Sequence, residues 1–422
     1  MHFSGRWLPS WPARSRVCCS GQRACWGSGG RCSATRVGSS WSWARPGKPS
    51  CSGALILWAA IVWRGVRSSI GLTNPFSLPH WMLYSVTAIV MLFLSSFVAG
   101  PHTNFVIADF WRWMVIHMWA ECFFEVFTTV VAAYFMVMMG LVGREAATRV
   151  VYFATLLFLG SGLLGISHNF YWNAKPEATL AIGSVFSTMQ VVPLVLLTLE
   201  AWWMRRLPQD VLRRTGRAPA SFAQTEAFLF MLGVNFWNFF GAGVFGFIIN
   251  LPIVNYYEHG TYLTVNHGHA ALMGVYGNLS IAAMLFCARY LIVPERWNAL
   301  LLRASFWSIN VGLMLTVVLD LFPAGVFQLQ AVLERGMWYA RSTRFIEGTT
   351  FQTLTWMRML GGAMFLLGGV VPLAVFLLSR WRSLKPAVLP VDVPTSLRIE
   401  VPAVLTVEGN REAIVARGGP TP

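Results

Sequence analysis

Ionisable side chains inside long apolar runs are costly in a bilayer, so each marks a candidate functional position. The string WRWMVIHMWAECFFEVF carries His117 and Glu121 four residues apart. On a helix those two share a face, and Glu125 lies one turn further along it. An imidazole and a carboxylate stacked in this way can hold one divalent metal; the plain alternative is a buried, hydrogen-bonded polar pair. A second string, TYLTVNHGHAALMGVYG, holds His267 and His269 two residues apart. At about 100° per residue their side chains point about 200° apart, so they serve two different centres more easily than one. Gly268 between them, with Gly274 and Gly277 beyond, would let large planar groups approach the backbone. Haem fits, because neutral imidazole is a common axial ligand. A third string, GISHNFYW, places His168 at the end of its apolar run. The expected topology brings His117, His168, His267 and His269, from three spans, to one depth near the outer side. That shared depth favours ligands over isolated interfacial histidines.

The elements that must position these residues are membrane helices. The chain has 422 residues, 55% hydrophobic and 12% charged, with mean hydropathy +0.55. Soluble domains carry roughly 25% charged residues, so a soluble enzyme and a disordered chain are both excluded. The apolar runs, 20 Trp and 30 Phe suit an all-α, polytopic membrane bundle with interfacial aromatic belts. Eight spans are expected, at about 81–99, 112–140, 149–168, 178–204, 222–250, 262–290, 303–323 and 350–379. The apolar run 53–63 is too short to span and, with the rest of 53–80, is expected to be a linker.

The net charge of +15 does not point to nucleic acid, because the arginines sit in short loops between spans. One set of loops holds Arg144 and Arg149, Arg205, Arg206, Arg213, Arg214 and Arg217, Arg296, then Arg380, Arg382 and Lys385. The other set holds Lys175 and, in a long 324–349 loop, Arg335, Arg341 and Arg344. The positive-inside rule puts the first set in the cytoplasm, which makes 81–380 the bundle and 381–422 a cytoplasmic tail. Residues 1–52 contain no Asp or Glu and no helical or strand period. They are expected to be disordered or a non-native start. Five of the seven cysteines fall there, and no CxxC pair occurs, so neither a zinc site nor a disulfide framework is supported.

Six strings in order, HMWAECFFEVF, GISHNFYW, GSVFSTMQVVPLVLL, FWNFFGAGVFGFIINLP, VNHGHAALMGVYG and GMWYARS, resemble the nitric oxide reductase branch of the haem–copper oxidase superfamily. The likeness covers about residues 75–380 and is strongest to the quinol-dependent, single-chain type. It implies a partial haem–copper oxidase subunit I fold in a bacterial inner membrane, with nitric oxide as substrate and quinol as a possible partner. It implies His117 and His168 as ligands of a non-haem iron, with Glu121 as a further ligand. His267 would hold a high-spin haem b and His269 a low-spin haem b. Glu125 would be a carboxylate on the proton path.

Two departures stand out. The reductase pattern has a second histidine directly after His168, and here that metal position is Asn169. An amide is a weaker ligand than imidazole, and the substitution resembles the nitric oxide dismutases of the same branch, which form dinitrogen and oxygen. Dismutation is therefore the expected reaction, with reduction to nitrous oxide as the alternative. The second departure is the low-spin haem's other axial histidine, for which only His2 and His80 are available upstream of the first span. The sequence is therefore expected to be a truncated or misassembled product. An inactive haem-binding fragment and a haem-free transporter, with Glu200, Glu226 and Asp320 along a pathway, are the competing classes.

Overall fold

A computed structural model describes residues 47–71, 74–100, 103–164, 176–214 and 224–381, and among them there is helix but no strand. The first helix, α1, is Gly47–Val66. α2 is Leu78–Ser95, with a proline in its first turn, where a missing N–H costs nothing. α3 runs from Phe105–Ile116 through a π turn, His117–Phe123, into Phe124–Met138. α4 is Arg144–Leu159, continued by a π turn at Gly160–Leu164. α5 covers Glu177–Trp203 and continues to Arg214. α6 is Thr225–Asn250, and a short α7, Pro252–Glu258, follows it. α8 is Tyr262–Arg289, α9 is Ala299–Arg335 and α10 is Thr349–Arg380.

Eight of these helices are long and apolar enough to cross a membrane. Their membership differs in two places from the sequence expectation. Residues 53–63, expected to be too short, sit inside α1, where flanking residues join the helix and a candidate span runs Pro49–Ser69. The expected span 149–168 corresponds to α4, whose described part ends at Leu164 and is not one of the eight. Its first turns carry Arg144, Glu145 and Arg149, which lower its hydropathy. The expectation of an unstructured 1–52 lies outside the described residues up to 46, while 47–52 already belong to α1. The tail 382–422 also lies outside them.

The expected loop at 324–349 is largely helical. α9 has 37 residues, about 55 Å at a rise of 1.5 Å per residue, against a hydrocarbon core of about 30 Å. It starts at an Asn298 cap, whose side chain accepts from Leu301 N at 3.0 Å, and stops at Gly336, which takes φ 85°. Its far end packs Ala331 and Val332 with Phe345 and Phe351 into a small apolar cap.

The main core lies among α3, α6, α8 and α9, where Trp237, Phe228, Phe230, Leu285 and Leu302 are fully buried. A polar triad bridges three of these helices. Trp237 Nε1 donates to Asn310 Oδ1 at 2.8 Å, and Asn278 and Asn310 exchange amide bonds at 3.0 and 3.1 Å. Small residues bring α9 and α10 together, as is usual where lipid offers no hydrophobic drive between helices. A side-chain carbon on Gly312 would lie 2.6 Å from Phe365 N and 2.7 Å from Gly361 O. Gly312→Leu is therefore expected to cost at least about 1–3 kcal/mol, read as a lower unfolding midpoint of the purified protein in mixed detergent micelles; an unchanged midpoint would refute this packing.

Candidate functional site

The site begins where α6 and α8 touch. A side-chain carbon on Gly241 would sit 2.8 Å from the Ala270 backbone carbon, and one on Gly246 would sit 3.0 Å from His267 Cε1. This approach lets His267 Nδ1 donate to Gly241 O at 3.0 Å. A carbonyl only accepts, so Nδ1 carries the proton and Nε2 keeps its lone pair. Metal-binding imidazoles are oriented by a bond of this kind on the other ring nitrogen. His269 is fixed similarly, with Nδ1 donating to Val265 O at 3.0 Å.

The two imidazoles have different surroundings. His267 is half-buried and lines a cavity with Glu125. His269 is exposed on the bundle's flank, within electrostatic range of Asp320. Asp320 is buried and paired with Arg358 Nε at 2.9 Å. The residues fit planar cofactors in part: nothing lies within 4 Å of a carbon added at Gly268 or Gly277. Gly274 does not match its expected role, because its face is filled by the Trp237 ring. It serves helix packing.

His117 is buried at the first residue of the α3 π turn, and Glu121 belongs to the same turn. The α-helical register expected for this pair is thus replaced by a wider i→i+5 turn, a feature frequent at functional sites. Met118 Sδ lies 3.4 Å from a carbon added on Gly162, so the π turns of α3 and α4 abut. The Glu121 side chain, His168 and Asn169 lie outside the described residues. Among the described residues, no group of three or more His, Cys, Asp or Glu is arranged to hold a metal.

Beside His267 lies a cavity of about 100 Å³, lined among others by Glu125, Gln190, Asn255, Glu258, His259 and Thr264. Glu258 and His259 sit between α6 and α8, and sequence reasoning passed over both. Their one signal is an acidic residue in the YYEHG string of an otherwise uncharged connection. Thr264 Oγ1 donates to Glu258 Oε2 at 2.8 Å and accepts from Gly260 N at 3.0 Å. Gly260 takes φ 71°, a left-handed conformation that favours glycine. Arg341 Nη2 donates to His259 O at 2.6 Å. Burial pushes the Glu258 carboxyl up to about 7; burial, then the Arg341 charge, pulls His259 down to about 4.

Two carboxylates considered for a transport pathway are closed by interhelical partners. Glu226 accepts from Trp297 Nε1 and from Arg303 Nε, both at 3.1 Å. Asp320 is held by Arg358 as above.

Residues 50–364 match the family described as cytochrome c and quinol oxidase polypeptide I. This chain belongs to that family. The oxidase-family chain is also 30% identical over 314 residues to a nitric oxide reductase subunit of Stutzerimonas stutzeri, a match covering 73% of this chain and 62% of the relative. It therefore spans less than two thirds of that protein's length. A solved haem–copper terminal oxidase dimer shares 15% identity and a TM-score of 0.49 over 81% of this chain and 58% of that one. A likeness at that level adds nothing to the family assignment.

The paired shifts at Glu258 and His259 set a pH dependence. The raised Glu258 value means the folded state binds its proton more tightly, so stability falls as pH rises from about 4.5 through about 7. The lowered His259 value works oppositely, removing stability as pH falls from about 6.5 through about 4. Above about pH 6.5 the Glu258 contribution stands alone. Glu258→Gln should therefore flatten the decline in thermal midpoint between about pH 6.5 and 8. The same slope in both proteins would show that Glu258 is not protonated in the folded state.

Proposed function

We propose that this chain converts nitric oxide at a haem paired with a non-haem iron. The carrying observation is His267, its Nδ1 proton given to Gly241 O and its ring beside a cavity shared with Glu125. Membership of the oxidase family and the likeness to a nitric oxide reductase subunit support the same reading. His267 would hold the high-spin haem b and His269 the low-spin haem b. His117, His168, Glu121 and Asn169 would surround the non-haem iron. When bound, the two metal centres supply adjacent sites that hold and polarise two nitric oxide molecules.

The chain's own residues do the rest. The Gly241 carbonyl keeps His267 in one tautomer and increases its donor strength. Glu125, on the wall of the cavity, would move protons. The reduction joins two nitric oxide molecules with two electrons and two protons to give nitrous oxide and water, with a quinol as the electron source. The bundle would work in the bacterial cytoplasmic membrane.

Asn169 favours a second reading. An amide in place of the second adjacent histidine weakens the iron site. Rearrangement of two nitric oxide molecules to dinitrogen and oxygen needs no external electrons. The two readings separate by mass spectrometry of haem- and iron-loaded protein given ¹⁵N-labelled nitric oxide. Reduction yields labelled nitrous oxide only with an electron donor, whereas dismutation yields labelled dinitrogen and oxygen without one. Consumption of no nitric oxide would end both. Asn169→His should hold iron roughly 10-fold more tightly or better and shift products toward nitrous oxide; an unchanged affinity and product ratio would make Asn169 a bystander.

A further inference from the structure

Glu258 is fully buried at the end of α7, yet only one of its carboxylate oxygens is satisfied. Thr264 Oγ1 has one proton. It accepts from Gly260 N, so that proton goes to Glu258 Oε2. Among the described residues Oε1 has no partner, and neither has Asn255 Oδ1. Both residues line the cavity that also reaches Glu125 and His267. An unpartnered carboxyl oxygen and an unpartnered amide oxygen on one polar wall leave hydrogen-bonding capacity for water. A cavity of about 100 Å³ has room for several water molecules, each needing at least about 10–15 Å³ of this kind of volume.

The cavity is also close to the surface. Glu258 is two residues from Gly260, which is exposed, in the connection that the loop charges place on the outer side. The charged and titratable groups around Glu258 are few. Glu125 comes from α3, His267 from α8, and His259 and Arg341 from the outer connections. α5 and α6 contribute the uncharged Gln190 and Asn250. α9 places Gln328 in the buried layer, while Glu334 and Arg335 are exposed at its end, as is Glu177 at the start of α5. No cation is bonded to the carboxylate among the described residues, so it is free to exchange a proton with water.

We propose that Glu258 is a proton relay on the outer side of the site, receiving protons at the Gly260 turn and passing them through cavity water toward Glu125. In each transfer the Oε1–H bond breaks, the proton goes to a cavity water, and the carboxylate takes a new proton from the outer side. Thr264 acts as a positioning residue by holding Oε2 and turning Oε1 to the cavity. The relay rests on the nitric oxide reading for its use, since reduction consumes protons.

Infrared difference spectra of the purified full chain, taken across pH in water and in D₂O, test the relay without turnover. A carboxylic-acid band that titrates near pH 7, shifts in D₂O and is missing from Glu258→Gln supports it. A band that is absent, or that does not exchange with D₂O, overturns it. In the haem-loaded protein, Glu258→Gln should slow nitric oxide reduction at least 10-fold and change its pH profile. Nitric oxide binding to the reduced haem should stay the same, and Glu258→Asp should restore much of the rate. An unaltered rate and pH profile in Glu258→Gln overturns the relay. An exchanging band in a wild-type protein that converts no nitric oxide supports the relay's proton exchange and sinks the nitric oxide reading instead.

Discussion

The contact between the Gly241 carbonyl and the His267 ring is the constraint on which the site depends. It exists because α6 has no side chain at Gly241 or Gly246 where α8 presses against it. The carbonyl decides which nitrogen carries the proton and leaves the lone pair on Nε2. A π turn within α6, Asn238–Val244, contains Gly241, so an irregularity in one helix sets the proton position on a residue of another. His269, two residues on, is fixed within its own helix and is exposed where His267 is half-buried.

The ionisable groups within the bundle divide by what holds them. Glu226 and Asp320 are tied to cations on neighbouring helices, each joining two elements. Such pairs balance desolvation against attraction and serve packing. Glu258 is different, because its partner is a hydroxyl, its second oxygen has no partner among the described residues, and the residue lines a cavity. Glu226 and Asp320 brace the fold, whereas Glu125, Glu258 and His267 line one cavity.

Much of the architecture was legible in the sequence. The expected spans 222–250, 262–290 and 350–379 match α6, α8 and α10 within about three residues, because Gly, Pro and Arg clusters close the apolar runs. The separation of His267 from His269 followed from helical periodicity. Other features left no mark in the pattern of side chains. The π turns are changes of backbone register that hydrophobic period does not encode. The Gly241 carbonyl is a main-chain group, and only the crossing of two helices makes it a partner. α9 continues past the hydrocarbon as an ordinary amphipathic helix, so falling hydropathy read as a loop. Glu258 looks like any polar residue between spans until α7 folds it inward.

In the proposed function His267 and His269 would hold different centres, because the Gly241 bond fixes one and the helix geometry turns the other away. Haem content and the optical and electron paramagnetic resonance spectra of His267→Ala and His269→Ala, each compared with wild type, test it most directly. His267→Ala should lose the nitric-oxide-binding high-spin haem while low-spin signals persist, and His269→Ala should do the reverse. Loss of the same haem from both variants, or of neither, would contradict it.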